Sequence, residues 1–257
     1  MKKLLISALL SICVLPAFAQ NANVVRFGVD PTFAPFESVD PQGKLVGIDI
    51  DLGNALCKQM KVSCEWVKIN FDGAIPALKA KKIDGILSAM SVNEKRKKEV
   101  LFSTELYVDA SRMMVPKDKS LEPSAESLKG KNIGVVQGTT QAAFANKHWK
   151  GKGVKLVMYQ NDERARQDLA LGRIDGTLQD TASAQSFLES PEGAKFHMSG
   201  KPADDPSVLG SGTAIGLNLG DKALQGKINT AFKELRASGA YDEILKGYAK
   251  YGVLAPK

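Results

Sequence analysis

The chain has 257 residues, of which 35 are Lys or Arg and 28 are Asp or Glu, and its formal net charge is +7. A chain of this length can bury a sizeable core, either as one domain or as two small lobes. The basic residues are scattered, and their densest group, Lys95 to Lys98, has no aromatic residues between its members. This pattern argues against a nucleic-acid-binding surface.

Residues 1–19 have the pattern of a cleaved signal peptide. Two lysines precede an apolar run from Leu4 to Pro16, and Ala17-Phe18-Ala19 places small residues at the positions that a signal peptidase reads. The run is too short for a permanent membrane span, and no later stretch is apolar enough to cross a bilayer. We therefore expect an exported, soluble protein that begins at Gln20.

Beyond the predicted signal peptide the chain contains two cysteines, Cys57 and Cys64. In an oxidising compartment, two cysteines seven residues apart favour one disulfide, with two free buried thiols as the alternative. His148 and His197 lie far from them and have no ligand spacing, so we expect neither a metal site nor a cofactor.

The segment from Ile83 to Arg96 reads as an apolar strand, a turn of small polar residues and the start of a charged helix. Asn93 is placed to cap that helix, which carries Arg96 in its first turn. Ligands of open α/β sheets bind beyond the carboxyl ends of the strands, and hydroxyl and N–H groups beside an arginine suit a carboxylate. The segment predicts an anion site, with a surface turn and a solvated arginine as the alternative.

This segment has a partner in the second half of the chain. Leu78 to Ala89 matches Leu169 to Asp180, because both contain a helix end, a basic residue, Ile-Asp-Gly, an apolar strand and a polar terminus. Earlier in each half, Val25 to Val29 and Ile133 to Val136 are apolar strands that end in polar turns. The duplication favours parallel sheets with crossover helices, one sheet per lobe, over one large doubly wound sheet.

We therefore predict an α/β fold with two Rossmann-like lobes joined by a two-strand hinge. Such a hinge suits closure around a ligand. The stretch from Lys222 to Tyr251 predicts two amphipathic helices. The predicted boundaries are 20–107 and 213–257 for lobe 1, 112–204 for lobe 2, and 108–111 and 205–212 for the hinge.

Several motifs make the chain similar to a known family. Asp30 to Ser38, followed by Leu45 to Leu52, resembles the start of periplasmic amino-acid-binding proteins of solute-binding protein family 3, the receptors of polar amino-acid ABC importers. Leu128 to Gln141 and Arg173 to Asp180 extend the resemblance over essentially the whole mature chain. The chain most resembles the type that binds lysine, arginine, ornithine or histidine, which also carries the short-loop disulfide. The resemblance implies the type II periplasmic-binding-protein fold.

The resemblance also implies which residues hold the backbone groups of an amino acid. Arg96 resembles the arginine that binds the α-carboxylate, assisted by N–H groups near Ser91 and Thr140. Asp180 resembles the carboxylate that binds the α-ammonium, helped by Ser91. A zwitterion needs one positive and one negative partner, both shielded from water. The alternatives are a solvated Arg96 and an Asp180 that only caps the helix after it.

At the side-chain end, Asp30 matches the acidic residue that pairs with a distal cationic head. Phe33 and Phe71 match the aromatic pair that encloses the aliphatic stem or planar head. Ser88 and Gln141 would add hydrogen bonds. The alternatives are that Asp30 caps the following turn and that the two rings pack in the core.

Two positions depart from the family pattern. Phe33 stands where some relatives have tyrosine, and Ala89 stands where similar relatives have serine, so the predicted contact at Ala89 is partly through the backbone. Asp49 is expected to cap the helix that continues through Leu52, with water-mediated support of the pocket as the alternative.

The resemblance implies a monomeric receptor that captures a basic L-amino acid and delivers it to an inner-membrane ABC permease, without catalysis. Arginine, ornithine, lysine and histidine all suit one anion and two rings. The alternatives are an enzyme on the same scaffold, similar to cyclohexadienyl dehydratase, and a receptor for a modified or neutral amino acid such as an opine or glutamine. A sensor without transport is a further alternative.

Overall fold

The computed structural model describes residues 24–256, and the predicted signal peptide lies outside this range. Within it the chain forms thirteen strands, which are β1 (Val24–Val29), β2 (Thr32–Phe33), β3 (Glu37–Val39), β4 (Leu45–Val46), β5 (Ser63–Lys68), β6 (Gly85–Ile86), β7 (Leu101–Phe102), β8 (Ser111–Pro116), β9 (Asn132–Val136), β10 (Lys155–Tyr159), β11 (Gly176–Asp180), β12 (Phe196–Ser199) and β13 (Gly216–Leu217). The α-helices of the same range are α1 (Ile48–Met60), α2 (Ala74–Lys79), α3 (Glu94–Lys97), α4 (Thr140–His148), α5 (Asp162–Ala170), α6 (Thr181–Leu188), α7 (Pro206–Leu209), α8 (Lys222–Ala237) and α9 (Ala240–Tyr248). Short 3₁₀ helices cover Phe71–Gly73, Glu192–Lys195 and Ala249–Tyr251.

The strands form two five-stranded sheets, one in each lobe, with the orders β5-β1-β6-β13-β7 and β10-β9-β11-β8-β12. In each sheet the first three strands are parallel, and the fourth runs antiparallel to both of its neighbours. The repeated arrangement confirms the two-lobe prediction and excludes one large sheet. The prediction of parallel sheets is wrong for β8 and β13, because each of these strands enters from the other lobe, whereas the parallel strands are connected by helices within one lobe.

The chain crosses between the lobes twice, from β7 to β8 and from β12 back to β13. The two crossings meet at Tyr107 and Thr213, where the Thr213 N–H donates to the Tyr107 carbonyl at 2.8 Å. The returning segment contains α7, so it is not a single extended strand. The predicted hinge segments, 108–111 and 205–212, lie in these crossings, except that Ser111 already begins β8. Their role as the flexible points stays a prediction.

Each sheet packs between two apolar clusters. In lobe 1, Leu52 of α1 and Phe232 of α8 cover one face, and Leu78 of α2 belongs to the cluster on the other. In lobe 2, Trp149 after α4 and Leu169 of α5 belong to the two corresponding clusters. The predicted pair of C-terminal helices is confirmed as α8 and α9, which pack against α1.

Cys57 of α1 and Cys64 of β5 form a disulfide, with their Cα atoms 5.8 Å apart. This confirms the predicted pairing, and the bond ties the end of α1 to the edge of the first sheet. Between residues 24 and 256, the structure contains no helix of the length and apolar character that crossing a bilayer requires.

Candidate ligand-binding site

A cavity lies between the two lobes, with about 530 Å³ of empty space when the part open to solvent is included. Its wall consists mainly of residues that follow the three parallel strands of each sheet, as expected for an open α/β sheet. All ten residues that the sequence predicts for ligand binding line this cavity: Asp30, Phe33, Phe71, Ser88, Ala89, Ser91, Arg96, Thr140, Gln141 and Asp180. The sequence analysis missed seven further residues of the wall: Thr32, Val136, Thr139, Asn161, Asp162, Leu178 and Gln179.

Arg96 is a buried arginine with 7% of its surface exposed, so it is not the solvated residue of the alternative interpretation. It lies on α3, and the Asn93 side chain accepts the Arg96 N–H at 2.9 Å, which confirms the predicted cap. Its Nη1 donates to the Ser91 carbonyl at 2.8 Å, and its Nη2 donates to the Gly138 carbonyl of lobe 2 at 3.1 Å. These bonds use two of five N–H donors and leave the others for a carboxylate.

The charge of Arg96 persists in this environment. Burial lowers the pKa of its guanidinium to about 10, and Asp180 opposes this shift, so the group is positive at neutral pH. The guanidinium also lies over the Phe71 ring, 5.3 Å from its centroid. The position of the cation is therefore defined by two carbonyls and one ring.

The N-terminus of α4 adds a second anion-binding feature to the same region. The Thr139 hydroxyl caps the helix by accepting the Ala142 N–H at 3.1 Å. The first N–H groups of a helix have no partner within it, and Thr140, the first residue of α4, is buried at the cavity wall. These groups and Arg96 favour a carboxylate at this end.

Asp180 ends β11 and faces the cavity. Gln141 Nε2 donates to its Oδ2 at 3.0 Å and to the Ser111 hydroxyl at 2.8 Å. Both N–H groups of the Gln141 amide are therefore engaged within the protein, so its main effect is to orient Asp180. Burial raises the pKa of the Asp180 carboxyl well above its ordinary value, and Asp109 adds to this effect. A bound ammonium would restore the ionised form.

Asp180 does not cap the helix that follows it. The structure records no side-chain capping bond from Asp180 to α6. Asp109 of the first crossing supplies this contact instead, because its Oδ2 accepts the Ala182 N–H at 3.0 Å. Burial raises the pKa of Asp109 to about 7. The capping alternative is therefore wrong, and Asp180 is left for the cavity.

Asp30 organises the following turn, as one of the two alternatives predicted, and it also lies at the cavity wall, where pairing with a distal cation stays a prediction. Its Oδ1 accepts the Thr32 hydroxyl at 2.7 Å, so it organises the turn after β1. Its Oδ2 accepts the Phe71 N–H at 3.1 Å, which ties that turn to the one after β5. Asp30 also lines the cavity, to which it contributes a carboxyl group.

The two predicted aromatic rings are partly buried at the cavity wall. Phe33 packs against Phe36 with their ring centroids 5.0 Å apart, and Phe71 lies beneath Arg96. Both rings therefore reach the cavity and are supported from different sides. Their role in enclosing a ligand stem stays a prediction.

Two fully buried carboxyl groups lie behind the cavity wall, and for one of them, Asp49, the sequence predicts a helix cap. Glu37 of β3 and Asp49 of α1 are both 0% exposed. Burial raises the pKa of Glu37 well above its ordinary value and that of Asp49 to about 6. Glu37 Oε2 has no donor among residues 24–256 unless one carboxyl carries a proton. The charge of Asp49 adds to the effect of burial on the pKa of Glu37, so within this pair a proton is favoured on Glu37.

These carboxyl groups hold the turn after β6. The Ser88 hydroxyl donates to Glu37 and accepts the Asp30 N–H at 3.0 Å. Asp49 Oδ2 accepts the Ala89 N–H at 2.7 Å, and its Oδ1 accepts the Tyr107 hydroxyl at 2.8 Å. Asp49 is therefore not a helix cap, because its carboxylate is directed at this turn.

Asp162 is the most informative residue that the sequence analysis missed. It begins α5, lines the cavity and is only 6% exposed. Its neighbour Asn161 caps α5 by accepting the Arg164 N–H at 3.1 Å. Asn161 and Asp162 follow the end of β10. The expectation that ligands bind beyond the carboxyl ends of strands therefore points to this pair as well.

Comparisons with known proteins agree with this geometry. Residues 25–251 match the sequence profile of the bacterial extracellular solute-binding proteins, family 3. The chain is 45% identical over 238 residues to the lysine/arginine/ornithine-binding periplasmic protein of Escherichia coli strain K12, which covers 92% of each chain. It is 44% identical over 257 residues to the histidine-binding periplasmic protein of the same strain, covering 98% of this chain and 99% of that one.

The fold also matches solved structures. It is similar to that of an ancestral arginine-binding protein bound to arginine, with a TM-score of 0.82 and 35% identity. The match covers 88% of this chain and 98% of the ancestral one. The similarity therefore extends over both lobes.

Proposed function

The chain belongs to family 3 of the bacterial extracellular solute-binding proteins, and we propose that it is a periplasmic receptor for a basic L-amino acid. The observation that carries this proposal is the charge of the cavity wall. Among the residues that line it, the carboxylates of Asp30, Asp162 and Asp180 accompany one guanidinium, that of Arg96. A wall with this excess of negative charge favours an amino acid with a net positive charge over a neutral one.

The ends of the ligand are distinguished by the arrangement of these charges. We assign the α-carboxylate to Arg96 and the N-terminus of α4, and the α-ammonium to Asp180. The distal cation then lies near Asp30, between the turns that carry Phe33 and Phe71. Charge-assisted hydrogen bonds of this kind are strong in a cavity that excludes water.

Transport is the cellular role that we propose. Similar proteins of Escherichia coli are named as periplasmic binding proteins for lysine, arginine, ornithine or histidine, and one similar protein is named an ABC transporter arginine-binding protein. The predicted signal peptide supports export to the same compartment. Delivery to an ABC permease and a monomeric state remain predictions.

Catalysis on the same scaffold is the second function class. An enzyme such as a dehydratase would need a general acid positioned against a leaving hydroxyl. Asp30 and Asp180 are better explained as partners of cations, and Glu37 is separated from the cavity by the Ser88 turn. The named relatives are binding proteins, which supports a receptor without turnover.

The proposal is tested by identifying the ligand. Native mass spectrometry of protein purified without added amino acids would identify a co-purified ligand. Isothermal titration after exhaustive dialysis should show micromolar or tighter binding of at least one of arginine, ornithine, lysine and histidine, without turnover. Binding of glutamine or an acidic amino acid, together with no binding of any basic one, would overturn it.

A further inference from the structure

A buried carboxylate without a partner lies on the lobe 2 side of the cavity. Asp162 is 6% exposed, and its carboxylate accepts no hydrogen bond from any residue between 24 and 256. The helix that it begins, α5, approaches β2 across the cleft, with Cα atoms within 8 Å. An ionised group in such a position is costly unless a ligand pairs with it.

The internal duplication explains why this position reaches the cavity. Tyr159 at the end of β10 pairs with Val136 of β9, as Lys68 at the end of β5 pairs with Val29 of β1. Three residues beyond these equivalent strand ends lie Phe71 in lobe 1 and Asp162 in lobe 2. Both line the cavity. Lobe 2 therefore presents a carboxylate from the turn where lobe 1 presents an aromatic ring.

Arg166, whose positive charge lowers the pKa of Asp162, does not form an ion pair with it. Arg166 lies one turn further along α5, but its guanidinium donates to the Gln179 Oε1 at 2.8 Å and to the Ser183 hydroxyl at 2.6 Å. No ion pair within 4.0 Å joins it to Asp162 in the part of the chain that the structure describes. The charge of Arg166 lowers the pKa of Asp162, whereas burial and the charge of Asp30 raise it.

The two acids at this end of the cavity differ in their free acceptor positions. Asp30 already accepts the Thr32 N–H and hydroxyl and the Phe71 N–H. Asp162 retains all of its acceptor positions. A guanidinium presents parallel N–H donors that match a free carboxylate in a bidentate pair, and it has further donors for a second acid. An ammonium is a point charge without this fork.

We propose that Asp162 binds the ligand and selects arginine, by accepting a bidentate pair from the guanidinium while Asp30 contacts the same group from lobe 1. This inference rests on the proposed function and adds to it the choice among basic amino acids. The wild-type protein should bind arginine more tightly than ornithine, lysine or histidine. Because the two acids belong to different lobes, the guanidinium also links the lobes in the closed form.

The test compares Asp162→Asn with Glu163→Gln by isothermal titration of arginine and ornithine. Glu163 is the next residue of the same helix, but it is exposed and outside the cavity, so the control makes the same change of charge. Asp162→Asn should weaken arginine binding by about tenfold or more, and by a clearly larger factor than ornithine binding. Glu163→Gln should leave both affinities within about twofold. Thermal denaturation without ligand should show Asp162→Asn to be at least as stable as the wild type, because it removes an unpaired buried charge.

The possible failures are distinguishable. If the wild-type protein binds no basic amino acid, the proposed function is wrong. If it binds basic amino acids but prefers one other than arginine, only the role of Asp162 in selection is wrong. The same conclusion holds if Asp162→Asn weakens arginine and ornithine equally, or no more than Glu163→Gln does.

Discussion

At the scale of single residues, the side chains of the cavity wall are oriented by groups outside it. Gln141 directs Asp180, and two carbonyls direct Arg96. Ala89 adopts a left-handed backbone conformation, with φ of 46°, in which its N–H donates to Asp49. A residue with a Cβ atom is strained in this region of backbone conformation. The hydrogen bond to a buried carboxylate therefore offsets the free-energy cost of that strain. The site is therefore organised before a ligand enters.

Glu37→Gln tests whether Glu37, which lies beside Asp49 behind the cavity wall, carries a proton in the folded protein. The pKa of Glu37 is raised, so the folded protein keeps a proton that the unfolded chain releases. The resulting stability is fully present below the ordinary value of 4.5 and is lost as the pH rises through the folded value. Stability should therefore fall as the pH rises above 4.5, by up to about 1.4 kcal/mol per pH unit from this group. The glutamine amide still donates to Asp49 and still accepts from Ser88, so the variant should show a smaller fall.

The measurement is thermal denaturation of ligand-free protein across this pH range. Asp49 contributes in the same direction between 3.8 and about 6, and this contribution should remain in the variant. Glu163→Gln serves as the control, because it removes an exposed carboxyl group. An unchanged pH dependence in Glu37→Gln would mean that Glu37 is ionised in the folded protein.

At the scale of elements, short helices carry the functional groups and depend on their caps. The four residues of α3 are too few to be stable alone, because helix formation needs a costly first turn. Asn93 compensates by two bonds: it caps α3, and its Nδ2 donates to the Val208 carbonyl of α7 at 2.9 Å. The helix that carries Arg96 is thus tied to the segment that returns from lobe 2.

Asn93→Ala should lower the free energy of unfolding by about 1–2 kcal/mol, since it removes both bonds. It should also weaken every amino-acid ligand by a similar factor, because Arg96 loses its support whereas the side-chain end is unchanged. Asn93→Asp is the matched variant, since its carboxylate can cap α3 but cannot donate to Val208. Denaturation and titration together check this, and a loss confined to one ligand would contradict it.

At the scale of the whole molecule, the lobes approach each other closely at the cleft. Arg96 donates to the carbonyl of Gly138, and a Cβ atom on Gly138 would lie 3.1 Å from the Asp72 Cα of lobe 1. Gly138 has φ of 74°, so it also needs the left-handed freedom of glycine. A side chain at this position would therefore press against Asp72 at the separation of the lobes in this structure.

Gly138→Ala should weaken the binding of all ligands, because the added methyl group meets Asp72 when the lobes close. Gly172→Ala is the control: its φ is 69°, but nothing lies within 4 Å of its Cβ position. Both variants should lose about 1 kcal/mol of stability from the left-handed backbone. Only Gly138→Ala should lose affinity, by about tenfold. With ligand present, its solution scattering should indicate lobes that are further apart than those of the control. Equal affinities in the two variants would show that the close approach is not required for binding.

The sequence by itself determined the local features of this protein. The period of apolar residues predicts the strands and helices, and the repeated Ile-Asp-Gly segments predict two lobes. The polar turn after the first of these segments predicts an anion site at Arg96, and the family resemblance adds Asp180. These signals are local because backbone geometry and burial act on residues that are close in sequence. The spacing of Cys57 and Cys64 is also a local signal, and it predicts their disulfide.

Only the tertiary structure decided which of these groups are free to act. Asp109, and not Asp180, supplies the contact to α6, and Asp49 holds Ala89 rather than capping α1. Asp162 becomes a candidate ligand-binding residue because Arg166 has other hydrogen-bond partners. Each outcome depends on residues distant in the chain that compete for the same donors and acceptors. Hydrogen bonding and burial are settled when the lobes pack, so no local pattern specifies them.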